Sequence, residues 1–173
     1  RIFRLHLAPL STGFSSHGVR FYALVAPEAG STESTLQIYT IPGGELSRSI
    51  PTQAGGRIFP GYDGRYVGFN AASGAGSDSV LGVIDSETGA ISNLFSEAMP
   101  PFTLDDCTAV EGDTNTSLDV ITGWHQISDI VWLPDGVTFI AVSSYIGQGV
   151  DEGQEARCEF TASRLRMYRV DGG

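Results

Sequence analysis

A chain of 173 residues, 41% hydrophobic and 17% charged, has the balance of a globular domain and can bury a sizeable core. Its formal charge is −10 and its ten basic residues are all Arg, which excludes a basic nucleic-acid footprint and argues against attraction to anionic lipid. No run approaches the roughly 18 apolar residues that a membrane helix needs.

The 22 glycines and many Ser and Thr predict turns, and no stretch keeps helical apolar spacing over three turns. The fold class expected is therefore all-β. Residues 1–9, RIFRLHLAP, alternate like a strand and lack the parts of a signal peptide. The chain starts at Arg and reads as a piece of something longer. Residues 11–16 are small and polar, with Phe14 as the one anchor. A turn at Ser16-His17-Gly18 leads into the strand Phe21-Tyr22-Ala23-Leu24.

TLQIYTI, residues 35–41, alternates strictly: Leu36, Ile38 and Thr40 share one side, Gln37, Tyr39 and Ile41 the other. Pro42-Gly43-Gly44 is a hairpin turn, and residues 46–51 read as an outer strand. A second unit begins at Arg57. It has a turn at Tyr62-Asp63-Gly64, strands at 66–69, 81–85 and 91–95, and a turn at Glu87-Thr88-Gly89. A polar stretch at 103–123 intervenes; its aliphatic tail, 118–121, reads as an extra strand.

The clearest hairpin spans 127–145, with Pro134-Asp135-Gly136 as its turn and Val131, Trp132, Phe139, Ile140, Ala141 and Val142 as β-formers beside it. A long loop is expected at 146–163, then a strand at 164–170 whose pattern matches residues 1–9. The turn glycines Gly18, Gly64 and Gly136 are 46 and 72 residues apart. The first interval fits a four-stranded repeat, and the second fits that repeat plus an insertion. Such a unit cannot bury its face alone, so units stack.

LPDGVTFIAV (133–142), YDGRYVGF (62–69), SHGVRFYAL (16–24) and VIDSETGAI (83–91) resemble the WD40-like repeats of TolB-type β-propellers. The resemblance covers most of the chain outside 103–123 and 146–163. It implies a partial β-propeller of about three four-stranded antiparallel blades, in units of about 1–54, 55–102 and 124–173 with an insertion at 103–123. A closed ring takes roughly 4–8 blades, so the chain is expected to be part of a larger propeller. The alternative architecture is a compact β-sandwich that reuses Asp-Gly hairpins.

Cys107 and Cys158 are the only cysteines. In the blade reading they lie on loops of one face in neighbouring units, so a disulfide is a candidate, and it would imply an oxidising, extracytoplasmic compartment, periplasmic or secreted. Two unrelated thiols are the alternative. Asp113, Asn115, Ser117 and Asp119 recur at every second position, as oxygen ligands do at the start of a Ca²⁺ loop. No Gly fills the sixth place and Trp124 holds the twelfth, so a solvated acidic loop is the plainer reading and no cofactor is expected. Asn115-Thr116-Ser117 also matches an N-glycosylation sequon.

Asp105, Asp106 and Glu111 in the first long loop, with Asp151, Glu152 and Glu155 in the second, are the candidate binding residues. If the loops share a face, that face is strongly acidic and suits a basic partner. His6 and His17 read as structural, and His125 has no partner in the sequence. No catalytic residues are assigned: GxSxG, Walker and GxGxxG patterns are missing, as are the sialidase-type Asp box and the Trp of quinone-binding propellers. The function expected is a non-catalytic binding or scaffolding propeller, with a protein or small molecule as partner. No nucleic acid and no membrane insertion are expected. The alternative is a substrate-gating propeller of a prolyl-oligopeptidase-type serine peptidase whose catalytic domain lies outside this chain.

Overall fold

The computed structural model describes residues 8–26, 33–52, 54–71, 79–97, 108–109, 120–150 and 158–170. These form three antiparallel sheets in chain order. The first is β1 (Pro9–Phe14), β2 (Arg20–Val25), β3 (Ser34–Thr40) and β4 (Leu46–Thr52), paired in the order β1-β2-β3-β4. The second is β5 (Ala54–Pro60), β6 (Tyr66–Ala71), β7 (Ser79–Asp85) and β8 (Ile91–Glu97), again in sequence order. The third combines β9 (Thr108–Ala109), β10 (Val120–Trp132), β11 (Thr138–Val150) and β12 (Cys158–Arg169) in the order β10-β11-β12-β9.

Two four-stranded meanders and a third of β10, β11 and β12 with β9 added at its edge are blades, not the two facing sheets of a sandwich, so the sandwich alternative is excluded. The first strand of each blade is innermost, and β5 touches both β1 and β10. Two apolar layers hold the stack. Tyr22, Leu24, Leu36, Ile38 and Ile50 of blade 1 pack on Ile58, Val67, Phe69 and Ile84 of blade 2. Phe59, Leu81 and Val83 on the other face of blade 2 pack on Ile127, Ile130, Phe139 and Ala141 of blade 3. Alternation makes this two-sidedness available, since neighbouring residues of one strand serve opposite layers. Full burial of each large side chain contributes about 1.5–3 kcal/mol.

The turns between the first two strands are built alike. Gly18, Gly64 and Gly136 have φ of 64°, 77° and 72°, the left-handed region in which a Cβ is penalised. Their amides donate to the carbonyls of Ser15, Gly61 and Leu133. The amides of Ile41, Ser86 and Val170 then tie the third strand's end to the carbonyls of Val19, Arg65 and Val137. The repeat read from the turn glycines is thus a repeat of hydrogen bonds.

The structure adds to the sequence reading at three places. Residues 11–14, read only as small and polar, belong to β1. Their small side chains suit the crowded inner strand, where a Cβ on Gly13 would meet the Pro60 ring at 2.7 Å. Residues 1–7, most of the stretch matched with 164–170, lie outside the described residues; Pro9 opens β1, first in its blade, and β12 is third in its own. The loops at 103–123 and 146–163 give up much of their length to strands, because β10 starts at Val120, β11 runs to Val150 and β12 starts at Cys158. Of the extra strand read at 118–121, residues 120–121 open β10, and 118–119 lie outside the described residues.

Candidate functional site

The blades have two ends, and the ends differ in how completely local hydrogen bonds use their polar groups. At one end lie the tight turns. The Gly64 carbonyl accepts from the Tyr22 hydroxyl at 2.5 Å, the Ser86 hydroxyl at 2.8 Å and the Arg20 guanidinium at 3.2 Å. Arg20 also donates to Ser86 Oγ at 3.0 Å. Burial pushes the Tyr22 phenol above its ordinary pKa, with Arg20 and Ser86 opposing, so it stays a neutral donor. Arg48 donates to the carbonyls of Ser86 and Glu87.

Three aspartates at this end are likewise engaged. Asp135 accepts from the Thr138 hydroxyl at 2.6 Å and from the amides of Thr138 and Val137, which lowers its pKa. Desolvation pushes Asp85 up, but the Thr88 and Glu87 amides and the Arg65 guanidinium outweigh it and bring its pKa below the usual range. Asp63 accepts from the Arg65 amide at 2.9 Å. His17 lies edge-on to Tyr62, with centroids 5.2 Å apart, in line with its structural reading. His17, Asp63 and Asp135 occupy equivalent turn positions, yet among the described residues no group of three His, Cys, Asp or Glu could hold a metal ion.

The other end carries the connections of variable length. There β10, β11 and β12 are 13, 13 and 12 residues long, against 6 or 7 in the blades before. Residues 120–126 of β10 pair with 144–150 of β11 in unbroken register, from Val120 opposite Val150 to Gln126 opposite Ser144. This ribbon extends past a shift of register between Ile127 and Asp129, which marks Ser128 as a bulge. A bulge bends its strand and re-aims the residues beyond it. The Ser128 hydroxyl donates to the Val142 carbonyl at 3.0 Å and accepts from the Ser144 hydroxyl at 3.4 Å.

Blade 2 grips the base of this ribbon. The Arg57 guanidinium donates to the Ser128 carbonyl at 2.7 Å, and Asn70 Nδ2 donates to the Ile127 carbonyl at 3.4 Å. Asn70 Oδ1 in turn accepts from the Arg57 amide at 2.6 Å. Farther down, Trp132 Nε1 donates to the Phe59 carbonyl at 2.8 Å. The ribbon is therefore fixed at its root on a packed blade.

Few of the residues singled out in the sequence are among the described ones. Cys107, Asp105, Asp106, Glu111, the calcium candidates Asp113, Asn115, Ser117 and Asp119, and Asp151, Glu152 and Glu155 lie outside the described residues, as does His6. Cys158 opens β12, its backbone opposite Ala109. His125 lies on the ribbon opposite Tyr145. Sequence reasoning missed the ribbon itself. Its signal was the β-rich run VITGWHQI, masked by Gly147 and Gly149 in the partner strand. The contacts of Arg57 and Asn70 to blade 3 span 71 and 57 residues and carry no local signal.

No family model and no curated protein match this chain. Among solved structures it is similar to the hydrazine synthase of Kuenenia stuttgartiensis, with TM-score 0.50 and 12% identity over 94% of this chain and 42% of that one. It is also similar to the β-propeller domain of the Trilobed protease from Pyrococcus furiosus, with TM-score 0.47 and 16% identity over 85% of this chain and 40% of that one. TolB from Acinetobacter baumannii gives TM-score 0.43 and 14% identity over 87% of this chain and 32% of that one. The chain thus spans less than half the length of each. Identities this low speak to fold alone. The sheet order, the repeated turns and the stacked faces make the chain a segment of a β-propeller about three blades long, and its hairpins resemble those of WD40-like, TolB-type propellers.

Proposed function

We propose that this chain is a non-catalytic binding propeller whose partner meets the end bearing the ribbon and the long acidic loops. The observation that carries the reading is the ribbon. Blade 3 roughly doubles its strand length at one end only, and it does so between the two acidic segments, 103–119 and 151–157. The extension is rooted on Arg57 and Asn70, and among the described side chains the stacked layer of blade 3 begins only at Ile127. A rigid extension of this kind suits a recognition element, since binding residues are commonly carried by loops on a fixed scaffold. The opposite end is made of short turns, where Asp63, Asp85 and Asp135 are already engaged by their own backbone.

Asp105, Asp106, Glu111, Asp151, Glu152 and Glu155 would supply the negative field, so the partner is a basic surface or cation-bearing ligand. A link between Cys107 and Cys158 belongs to the same proposal. Thr108, next to Cys107 in sequence, pairs with Glu159, next to Cys158, which supports bringing the two loops together. Such a link stabilises long loops by limiting their unfolded freedom, and it implies an extracytoplasmic setting. We expect thiol titration of the unreduced protein under denaturant to find no free thiol; two free thiols would defeat the link and the localisation drawn from it.

The test of function is capture from the source's own extract with three baits: the wild type, a loop variant with those six acids changed to Asn or Gln, and a turn variant, Asp63→Asn. A partner retained by the wild type and the turn variant, lost by the loop variant and released by added salt supports the proposal. A partner held equally by all three overturns it. Cleavage of short peptides by the full-length gene product, with the propeller dispensable for turnover, would favour the substrate-gating alternative.

A further inference from the structure

Two Asp-Gly pairs lie among the described residues, Asp63-Gly64 and Asp135-Gly136, in equivalent turns of blades 2 and 3. Both aspartates are exposed, and both glycines have positive φ, 77° and 72°. The glycine amides are held alike: Gly64 donates to the Gly61 carbonyl at 3.2 Å and Gly136 to the Leu133 carbonyl at 3.1 Å. The carboxylates are not. Asp135 accepts from the Val137 and Thr138 amides on Oδ1 and from the Thr138 hydroxyl on Oδ2. Among the described residues Asp63 has one donor, the Arg65 amide, on Oδ1. Tyr66 stands where blade 3 has Thr138, so Oδ2 of Asp63 lacks the hydroxyl that its counterpart holds.

An Asp-Gly pair is open to attack by the backbone on the side chain, because glycine has no Cβ to shield its nitrogen. The nitrogen gives up its proton and attacks Cγ of the neutral carboxyl. A C–N bond forms, a C–O bond breaks and one water leaves, which closes a five-membered succinimide. Water then adds back at either ring carbonyl. Opening at the main-chain carbonyl leaves isoaspartate, in which the chain runs through Cβ and Cγ. No atom is gained or lost overall, and nothing is oxidised. The attack requires the carboxyl to turn and to be protonated, and every donor on the carboxylate opposes both. The donors on Asp135 hold its pKa below the usual range.

We propose that Asp63 is a site of isoaspartate formation in the folded protein, and that the hydrogen bonds from Thr138 spare Asp135. The site lies at a joint between blades. The Gly64 carbonyl accepts from Tyr22 and Arg20 of blade 1 and from Ser86 of blade 2. Oδ2 of Asp63 lies 3.1 Å from the place that a Cβ on Gly136 of blade 3 would take. An added main-chain carbon at residue 63 displaces the Gly64 carbonyl, so the conversion loosens blade 1 from blade 2.

Ageing the full-length protein at neutral pH tests this, followed by peptide mapping with fragmentation that separates isoaspartate from aspartate. Conversion at Asp63 should exceed that at Asp135 by at least about tenfold, the effect of one hydrogen bond to a charged group. Thr138→Val should raise conversion at Asp135, and Thr138→Ser, which keeps the hydroxyl, should not. In denaturant the two sites should convert at similar rates, because the protection belongs to the fold. The fraction converted at residue 63 should melt below the unconverted one. Native protein in which Asp135 converts as fast as Asp63, or in which Asp63 does not convert, overturns the proposal. So does a preference for Asp63 that persists in denaturant, or conversion at Asp135 that is indifferent to Thr138→Val.

Discussion

The turn end and the ribbon end of this molecule are built from the same strands but specified by different physics. At the turn end, each bend is set by a left-handed glycine and a side chain that bonds its own backbone, all within a few residues. At the ribbon end, the strands run on past the packed blades and the connections vary in length. One end is closed chemistry and the other is an extension of the scaffold. The difference underlies our proposal that a partner is met at the ribbon end: variation is tolerated where the stacked layers do not depend on it.

The largest expected effect breaks the stack on which both ends depend. Phe139 is fully buried and touches Trp132 and Tyr168, with centroids 4.8 and 5.5 Å away. Phe139→Ala should cost about 3–5 kcal/mol in urea unfolding. Gly82→Ala should come next at about 1–3 kcal/mol, because its Cβ would fall 2.2 Å from the Phe69 ring.

Two turn glycines sharpen the comparison. Both have positive φ, so each alanine substitution should cost about 1–2 kcal/mol. A Cβ on Gly18 meets nothing within 4 Å, whereas on Gly64 it falls 2.7 Å from the Tyr22 hydroxyl. Gly64→Ala should therefore lower the melting temperature more than Gly18→Ala. Equal losses would show that the Gly64 carbonyl hub is not a tight joint.

The pH dependence separates the ends in another way. Asp135 and Asp85 have pKa values below those of the unfolded chain, about 3.9. The stability they contribute is present above about pH 4 and is lost as pH falls through their depressed values. Asp135→Asn should flatten that acid limb, as chemical denaturation at stepped pH will show. The smallest effect belongs to the ribbon end. Replacing residues 151–157 with a two-residue Asn-Gly turn should change stability by less than about 0.5 kcal/mol. A larger loss would break the comparison, for it would make the extension part of the stack.

Legibility in the sequence divides along the same line. LPDGVTFIAV and YDGRYVGF disclosed blades because turn chemistry and alternation are local, and TLQIYTI showed which side chains go inward. Leu36 and Ile38 are indeed buried, with Gln37 and Tyr39 less so. The inner strand β1 escaped because its Ser, Thr and Gly residues answer to a neighbouring blade rather than to a propensity. The ribbon escaped because Gly147 and Gly149 weaken the strand signal, while pairing with residues 121 and 123 supplies the order. The bulge at Ser128 and its grip by Arg57 are tertiary facts that periodicity does not carry.

The central claim is that recognition belongs to the ribbon end. Hydrogen exchange of the whole protein, free and with its captured partner bound, addresses it most directly. New protection is predicted across 120–126, 145–150 and 158–162, with the amides of Gly18, Gly64 and Gly136 unchanged. Protection centred on those turn glycines, with the ribbon exchanging as in the free protein, would contradict it.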